Sequence, residues 1–187
     1  SQHCDSAQPQ IAAQDLGVFG CGYNSDMTAD APQAHLTAAI WNWNVYYHTA
    51  IEAAMSCESA DQFVEKMGGP AYYGGLAEGF VDVSPLNEAT VAPGTAEAIE
   101  AVRELIVSGE WDVFSGTKLH ITVNDDGTVT VDQEDADLLC DGYEYDTTSG
   151  TLVERDPVIV AAGGESVEDS VITGSMNYFV AGVEDAN

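Results

Sequence analysis

Two short stretches of the chain combine residue types that can hold a small organic ligand. Tyr23-Asn24-Ser25-Asp26 follows one apolar run, and Trp41-Asn42-Trp43 follows another. Aromatic rings stack on flat ligands, whereas amide and carboxylate groups hydrogen-bond a ligand's polar atoms. The alternative interpretation is that Asn24 and Asp26 only form a turn and that the tryptophans only fill the core.

The apolar runs before these stretches predict two buried strands. Residues 17–21 and 35–40 are short and lack polar alternation, as expected of strands covered on both faces. Ligands of open parallel sheets bind beyond the carboxyl ends of the strands. We therefore expect Asp26 and Trp41 to lie side by side on one rim of a parallel sheet, forming one wall of a cleft.

Helical patterns separate and follow these strands. Helices are predicted over residues 6–16, 43–55, 59–66 and 95–108, with Ser6, Ser59 and Thr95 as their N-terminal caps. The apolar residues of the second helix trace one face, which gives Trp43 an alternative role in core packing. The other predicted elements are strands at 80–83 and 111–114, a β-hairpin at 119–131 around Asp125-Asp126-Gly127, and a closing helix over 167–183.

The charge balance excludes several classes of partner. The 187 residues carry 32 acidic and 4 basic side chains, a net charge of -28. Such a chain repels nucleic acids and anionic membrane surfaces. A halophilic source and an acidic secreted protein both fit this balance. No apolar run is long enough to span a bilayer, and the opening Ser1-Gln2-His3-Cys4-Asp5 is expected to be the end of a strand in an excised piece.

The cysteines favour a structural role over a chemical one. Cys4 and Cys21 fall at the ends of consecutive predicted strands, within potential disulfide reach. No CxxC spacing indicates a metal site, and Cys4 has no basic neighbour in sequence to activate it. We therefore expect a binding protein and not an enzyme, with no metal and no cofactor.

Three stretches together resemble a known family. GYNSDM, HLTAAIWNWNVYY and the run from YYGGLAEGFVDVS to GEWDVFSG are similar to the C-terminal lobe of the basic membrane protein family. These proteins are substrate-binding lipoproteins of ABC importers, related to the purine-nucleoside receptor. The resemblance covers about residues 1–116, together with the closing MNYFVAGV. It implies a periplasmic-binding-protein-like α/β fold: one helix-sheet-helix lobe over 1–187 with a mostly parallel sheet, the hairpin, and an acidic irregular excursion at 132–164.

The resemblance also implies a ligand and a site. A purine nucleoside or nucleobase would bind between this lobe and an N-terminal lobe, and the closed protein would dock on an ABC permease outside the cytoplasm, lipid-anchored in its full-length form. A ligand-sensing module of a signalling receptor, binding a different small molecule, is the alternative. The implied ligand-binding residues are His3, Asp5, Asn24, Asp26, Trp41, Trp43, Tyr73 and Gly74.

Overall fold

A computed structural model describes residues 6–183. By compactness the chain divides into two units, Ser1–Ala96 and Glu97–Asn187. The first unit contains α1 (Gln8–Leu16), β1 (Gly20–Tyr23), β2 (His35–Trp41), α2 (Trp43–Met55), α3 (Ala60–Lys66) and β3 (Val81–Val83). Helix α4 (Thr95–Ser108) begins at the end of the first unit and lies mostly in the second unit.

The sheet of the first unit is mixed, so the expectation of a mostly parallel sheet is not met. Its order is β1-β2-β3. Strands β1 and β2 are parallel, with Tyr23 opposite Ala39, whereas β3 runs antiparallel to β2 with Val81 opposite Trp41. The antiparallel return places Phe80, just before β3, at the end of β2. The unit is an α/β structure, and its helix-sheet-helix layering stays a prediction.

Local chemistry explains where α1 ends and β1 begins. Gly17 has a φ of 69° and caps the helix in the left-handed conformation, donating its backbone N–H to the carbonyls of Ala13 and Gln14. The strand predicted at 17–21 therefore starts later, at Gly20, and extends to Tyr23. Ser6 is not the helix cap either, because Ala7 occupies that position.

Helix α2 forms as predicted but buries a different face. Its inward side carries the half-buried Tyr46 and Ala50 and the buried Ala53, whereas Trp43, Tyr47, Ile51 and Met55 are exposed. The apolar spacing therefore predicted the helix correctly, but not which side packs. The Ser59 cap of α3 is confirmed, since its hydroxyl accepts the Gln62 N–H.

The second unit is built from short antiparallel pairs. Strands β4 (Thr117–Val123) and β5 (Val129–Asp135) form the predicted hairpin, in which Gly127 has a φ of 83°. The segment 132–164, expected to be irregular, holds the end of β5 together with β6 (Leu138–Leu139), β7 (Tyr143–Asp146), β8 (Thr151–Glu154) and β9 (Val158–Val160). Strand β6 pairs with β9, and β7 pairs with β8.

Three further predictions, all for residues from 95 onward, are wrong. Residues 111–114 form a turn instead of a strand, because the Asp112 carboxylate accepts the Phe114 N–H. The closing helix α5 covers only Asp169–Gly174. Beyond it the backbone and side chain of Asn177 hydrogen-bond the backbone of Tyr145, which holds the chain in a non-helical course. Thr95 belongs to α4 and does not cap it.

Candidate functional site

The parallel pairing of β1 and β2 brings two aromatic side chains together at one edge of the sheet. Tyr23 ends β1 and Trp41 ends β2. The Trp41 indole N–H donates to the Tyr23 hydroxyl at 3.2 Å, and the two rings meet edge-to-face with centroids 6.5 Å apart. This hydrogen bond fixes the orientation of the half-buried indole.

Asn24 follows β1 in a backbone conformation that few residues adopt. Its φ is 70°, in the left-handed region, and its N–H donates to the Ala39 carbonyl at 2.7 Å. No described residue hydrogen-bonds its exposed side-chain amide. Asn24 therefore keeps two donors and an acceptor for a ligand. Non-glycine residues in such conformations cluster at binding sites.

Phe80 is the buried centre of an aromatic cluster at this edge. Its ring centroid lies 5.4 Å from that of Trp41, 5.5 Å from that of Trp43 and 5.1 Å from that of Tyr72. The contacts with Trp43 and Tyr72 are edge-to-face, at interplanar angles of 84° and 85°. These are the distances at which aromatic pairs attract each other beyond simple burial.

Gly74 allows this cluster to close. A Cβ at position 74 would lie 2.7 Å from Cε1 of Tyr72 and 2.8 Å from Cβ of Phe80. Any larger residue would push Tyr72 out of place, so glycine is required by close approach.

These elements form an open cavity of about 350 Å³, which we call the aromatic pocket. Its volume lies in the range of small-molecule sites. The pocket offers ring faces for stacking and one uncommitted amide, and none of its lining side chains is charged. It therefore suits a flat, neutral ligand with a few polar atoms. The lining residues are Tyr23, Asn24, Trp41, Trp43, Tyr72 and Phe80.

Asp26 does not line the aromatic pocket, although its turn begins there. Its carboxylate accepts the Thr28 hydroxyl at 2.6 Å and the Thr28 N–H at 2.9 Å. These hydrogen bonds lower the pKa of Asp26, and the nearby His35 ring adds to the effect. The partly exposed carboxylate is thus already used in holding its own turn. An adjoining cavity of about 300 Å³ shares Tyr23 and Asn24 with the aromatic pocket and also contacts Asp30.

The structure thus brings together three of the residues predicted to bind ligand: Asn24, Trp41 and Trp43. Tyr73 is 78% exposed and does not line the pocket, whereas its neighbour Tyr72 does. Gly74 supports the pocket from beneath Tyr72. His3, Asp5 and Cys4 lie outside the described residues, so the predicted Cys4–Cys21 disulfide stays a prediction.

The predicted ligand-binding residues did not include three that line the pocket: Tyr72, Phe80 and Tyr23, although Tyr23 stands in the first of the two stretches identified above. The Tyr72-Tyr73-Gly74-Gly75 stretch carried a signal, because an aromatic residue beside paired glycines is typical of a close backbone approach. Phe80 could be placed only once the antiparallel return of β3 was known.

Comparison with known proteins places the chain near substrate-binding proteins. The chain is 25% identical over 185 residues to a purine-binding protein of Brucella abortus, covering 99% of this chain and 40% of that protein. It is 29% identical over 120 residues to a putative ABC transporter glucose-binding protein of Haloferax volcanii, covering 63% of this chain and 28% of that protein. These similarities support a solute-binding role.

The chain spans less than half the length of both relatives. No protein-family model matches it. Both relatives are named as binding proteins and not as enzymes. Within residues 6–183, no three His, Cys, Asp or Glu side chains are grouped to hold a metal ion, and no helix there is both long and apolar enough to cross a bilayer.

Proposed function

We propose that the chain is a solute-binding lobe that takes a purine nucleoside or nucleobase in the aromatic pocket. The observation that carries the proposal is the convergence of Tyr23, Trp41, Trp43, Tyr72 and Phe80 around an amide, Asn24, that no described residue engages. A purine presents two ring faces for stacking and edge nitrogens for an amide to hydrogen-bond. The Brucella abortus relative, named as purine-binding, agrees with this ligand class.

The charge of the chain narrows the ligand further. A protein of net charge -28 repels anions, and the aromatic pocket offers no cation to offset that repulsion. Phosphorylated nucleotides are therefore disfavoured, and a neutral nucleoside or base is preferred. Of the described acidic residues near the pocket, Asp30 lines the adjoining cavity, where ribose hydroxyls would find an acceptor.

The wider role follows from the relatives. We infer that a second lobe completes the ligand site and that ligand contact with both lobes favours a closed form, as a population shift. The closed form would dock on an ABC permease, and the protein would act outside the cytoplasm, lipid-anchored in its full-length form. The chain would have no catalytic activity of its own.

Calorimetric titration of adenosine, guanosine, adenine and glucose into the full-length protein tests the proposal. We expect saturable heat with at least one purine and none with glucose, and a loss of that heat in Trp41→Ala. The matched control is Trp111→Phe, since Trp111 lies in the second unit and donates its indole N–H to the Thr117 carbonyl. Saturable heat with glucose alone would show that the ligand is a sugar and not a purine. Heat with none of the four compounds would overturn the proposed ligand class.

A further inference from the structure

His35 is a fully buried histidine at the start of β2. Its backbone is held on both sides. The carbonyl accepts the Asn87 side-chain N–H at 2.9 Å and the Thr90 hydroxyl at 2.6 Å, and the His35 N–H donates to the Ala31 carbonyl at 2.9 Å. These contacts fix the backbone of His35, so its imidazole ring has a defined position relative to β1.

The ring faces the turn that leads out of the aromatic pocket. Its Nε2 lies 3.4 Å from the Met27 backbone nitrogen and 3.5 Å from Oδ1 of Asp26. On the β1 side the ring packs on Gly22, where an added Cβ would lie 3.0 Å from Cε1 of His35. The ring therefore bridges the strand and residues 24–27, the turn that presents Asn24.

One hydrogen bond selects the tautomer of the neutral His35 ring. Because Nε2 accepts the Met27 N–H, the proton of the neutral imidazole sits on Nδ1. Nδ1 is buried and has no hydrogen-bond partner among the described residues. An unsatisfied buried donor destabilises a fold; an apolar side chain of similar volume would remove that donor but would leave the Met27 N–H without its acceptor. The presence of a histidine here needs a benefit elsewhere.

We propose that His35 is a positioning residue for the aromatic pocket: its Nε2 anchors the Met27 N–H and so holds residues 24–27 where Asn24 faces the pocket, and ring protonation releases that anchor. The link to ligand binding rests on the proposed function. The anchoring of the turn does not.

Protonation exchanges one partner of Nε2 for another. The neutral nitrogen has a lone pair for Met27, whereas the protonated nitrogen carries a hydrogen and can only donate, toward Asp26. Among the described residues, Asp26 is the charged side chain that acts on this ring, and Gly22 and Met27, which also contact it, are uncharged. Acid therefore leaves the Met27 N–H without its acceptor and pulls on the carboxylate that shapes the turn.

The direction of the pH effect follows from burial. Burial lowers the pKa of His35 below its ordinary value of 6.5, and this outweighs the opposing attraction of Asp26. The native state then binds its proton less readily than the unfolded chain. The stability that the neutral His35 ring adds to the folded state is complete at pH values above 6.5, its ordinary pKa. This stability is lost as the pH falls below that value. Asp26 stays ionised across this range, because its own pKa is lowered.

Amide hydrogen exchange without any ligand tests the anchor. We compare the wild type with three variants. In His35→Gln the side-chain amide oxygen can replace Nε2 as the acceptor, whereas in His35→Leu the side chain cannot accept a hydrogen bond. The control is His48→Gln, at an exposed histidine of α2. We expect His35→Leu to exchange the Met27 amide about tenfold faster, as the loss of one net hydrogen bond predicts. His35→Gln and His48→Gln should protect that amide as the wild type does.

The pH profile separates anchoring from mere packing. Below about pH 6.5, Met27 protection should fall in the wild type and in His48→Gln but stay level in His35→Gln, which has no titrating ring. Equal protection of the Met27 amide in His35→Leu and the wild type would overturn the proposal. If His35→Leu does not fold, the nitrogen NMR resonances of the His35 ring in the wild type test the proposal, because they show which ring nitrogen carries the proton. A proton on Nδ1 at neutral pH supports the anchor, and one on Nε2 overturns it.

Adenosine titration of the same variants tests the link to the site. We expect His35→Leu to bind adenosine several-fold more weakly than His35→Gln. A wild type that protects Met27 as described but binds no adenosine would contradict the proposed ligand and leave the anchor intact. Adenosine binding that is equal in all variants would overturn the positioning role in ligand recognition.

Discussion

The Trp41 indole N–H donates to the Tyr23 hydroxyl at 3.2 Å, and this contact joins the carboxyl ends of two parallel strands. One side of the indole is thereby fixed, and the Phe80 ring, with its centroid 5.4 Å away, fixes another. A stacking surface that is already held in place loses little conformational entropy when a ligand binds. The aromatic pocket is accordingly a preformed platform.

Replacing Tyr23 by Phe removes this hydrogen bond and keeps the ring. We expect the free energy of unfolding to fall by about 1 kcal/mol, the usual net value of a hydrogen bond. Ligand affinity should fall several-fold, because the Trp41 indole loses its fixed orientation. Chemical denaturation and purine titration measure the two effects. Tyr73→Phe is the matched control, since Tyr73 is exposed and outside the pocket; a Tyr23→Phe protein that behaves like it would show that the hydrogen bond is unimportant.

Asn24 combines a backbone role with a side-chain role, and two variants separate them. Asn24→Gly keeps the left-handed conformation at a φ of 70° without strain, whereas Asn24→Ala does not. We expect Asn24→Ala to lose about 1 kcal/mol of stability relative to Asn24→Gly. Both variants should lose purine affinity because both lack the amide. Undiminished affinity in Asn24→Gly would remove the amide from the proposed site.

Gly74→Ala tests the close approach beneath Tyr72. The added methyl would lie 2.7 Å from Cε1 of Tyr72, so the ring must move or the backbone must shift. Such overpacking costs about 1–3 kcal/mol, and the displaced Tyr72 should narrow the aromatic pocket and weaken binding. The control is Gly174→Ala in α5, where no atom lies within 4 Å of the new methyl. A Gly74→Ala protein that keeps both its full stability and its full ligand affinity would contradict the described packing.

The sequence predicted those parts of the site that depend on local signals. The turn residues after β1 identified Asn24, and the aromatic residues at the end of β2 and just beyond it identified Trp41 and Trp43. Tyr72 and Phe80 depended on a tertiary relationship, namely the antiparallel return of β3 along β2. The Asp26 carboxylate hydrogen-bonds Thr28, two residues later, a turn signal that the sequence already contained, and the ligand-binding role expected of Asp26 stays a prediction.

The same contrast between local and tertiary signals explains which elements of the fold could be predicted from the sequence. The β4–β5 hairpin was predictable because Asp126-Gly127 sits between alternating strands. Strands β7 and β8 were missed because acidic residues concealed the alternation of Tyr143 and Tyr145 with their polar neighbours. Val180 pairs with Cys140 in an isolated bridge, a tertiary contact that no helical spacing in the closing segment could reveal.

The acidic surface predicts a strong dependence of stability on salt. With a net charge of -28, self-repulsion opposes folding, and salt screens it. We expect the melting temperature to rise steadily between about 0.05 and 1 M NaCl at neutral pH. Near pH 4, where many carboxylates are protonated, the rise should shrink. A melting temperature that is independent of salt at neutral pH would contradict this account.

The indole resonances provide the most direct test of the aromatic pocket, because the chain has 3 tryptophans. Trp41 and Trp43 line the pocket, and Trp111 lies in the second unit and serves as an internal control. We predict that adenosine, guanosine or adenine shifts the indole N–H resonances of Trp41 and Trp43 in a saturable manner and leaves that of Trp111 in place. Purine titrations that leave the first two resonances unmoved, or that move only Trp111, would contradict the proposed site.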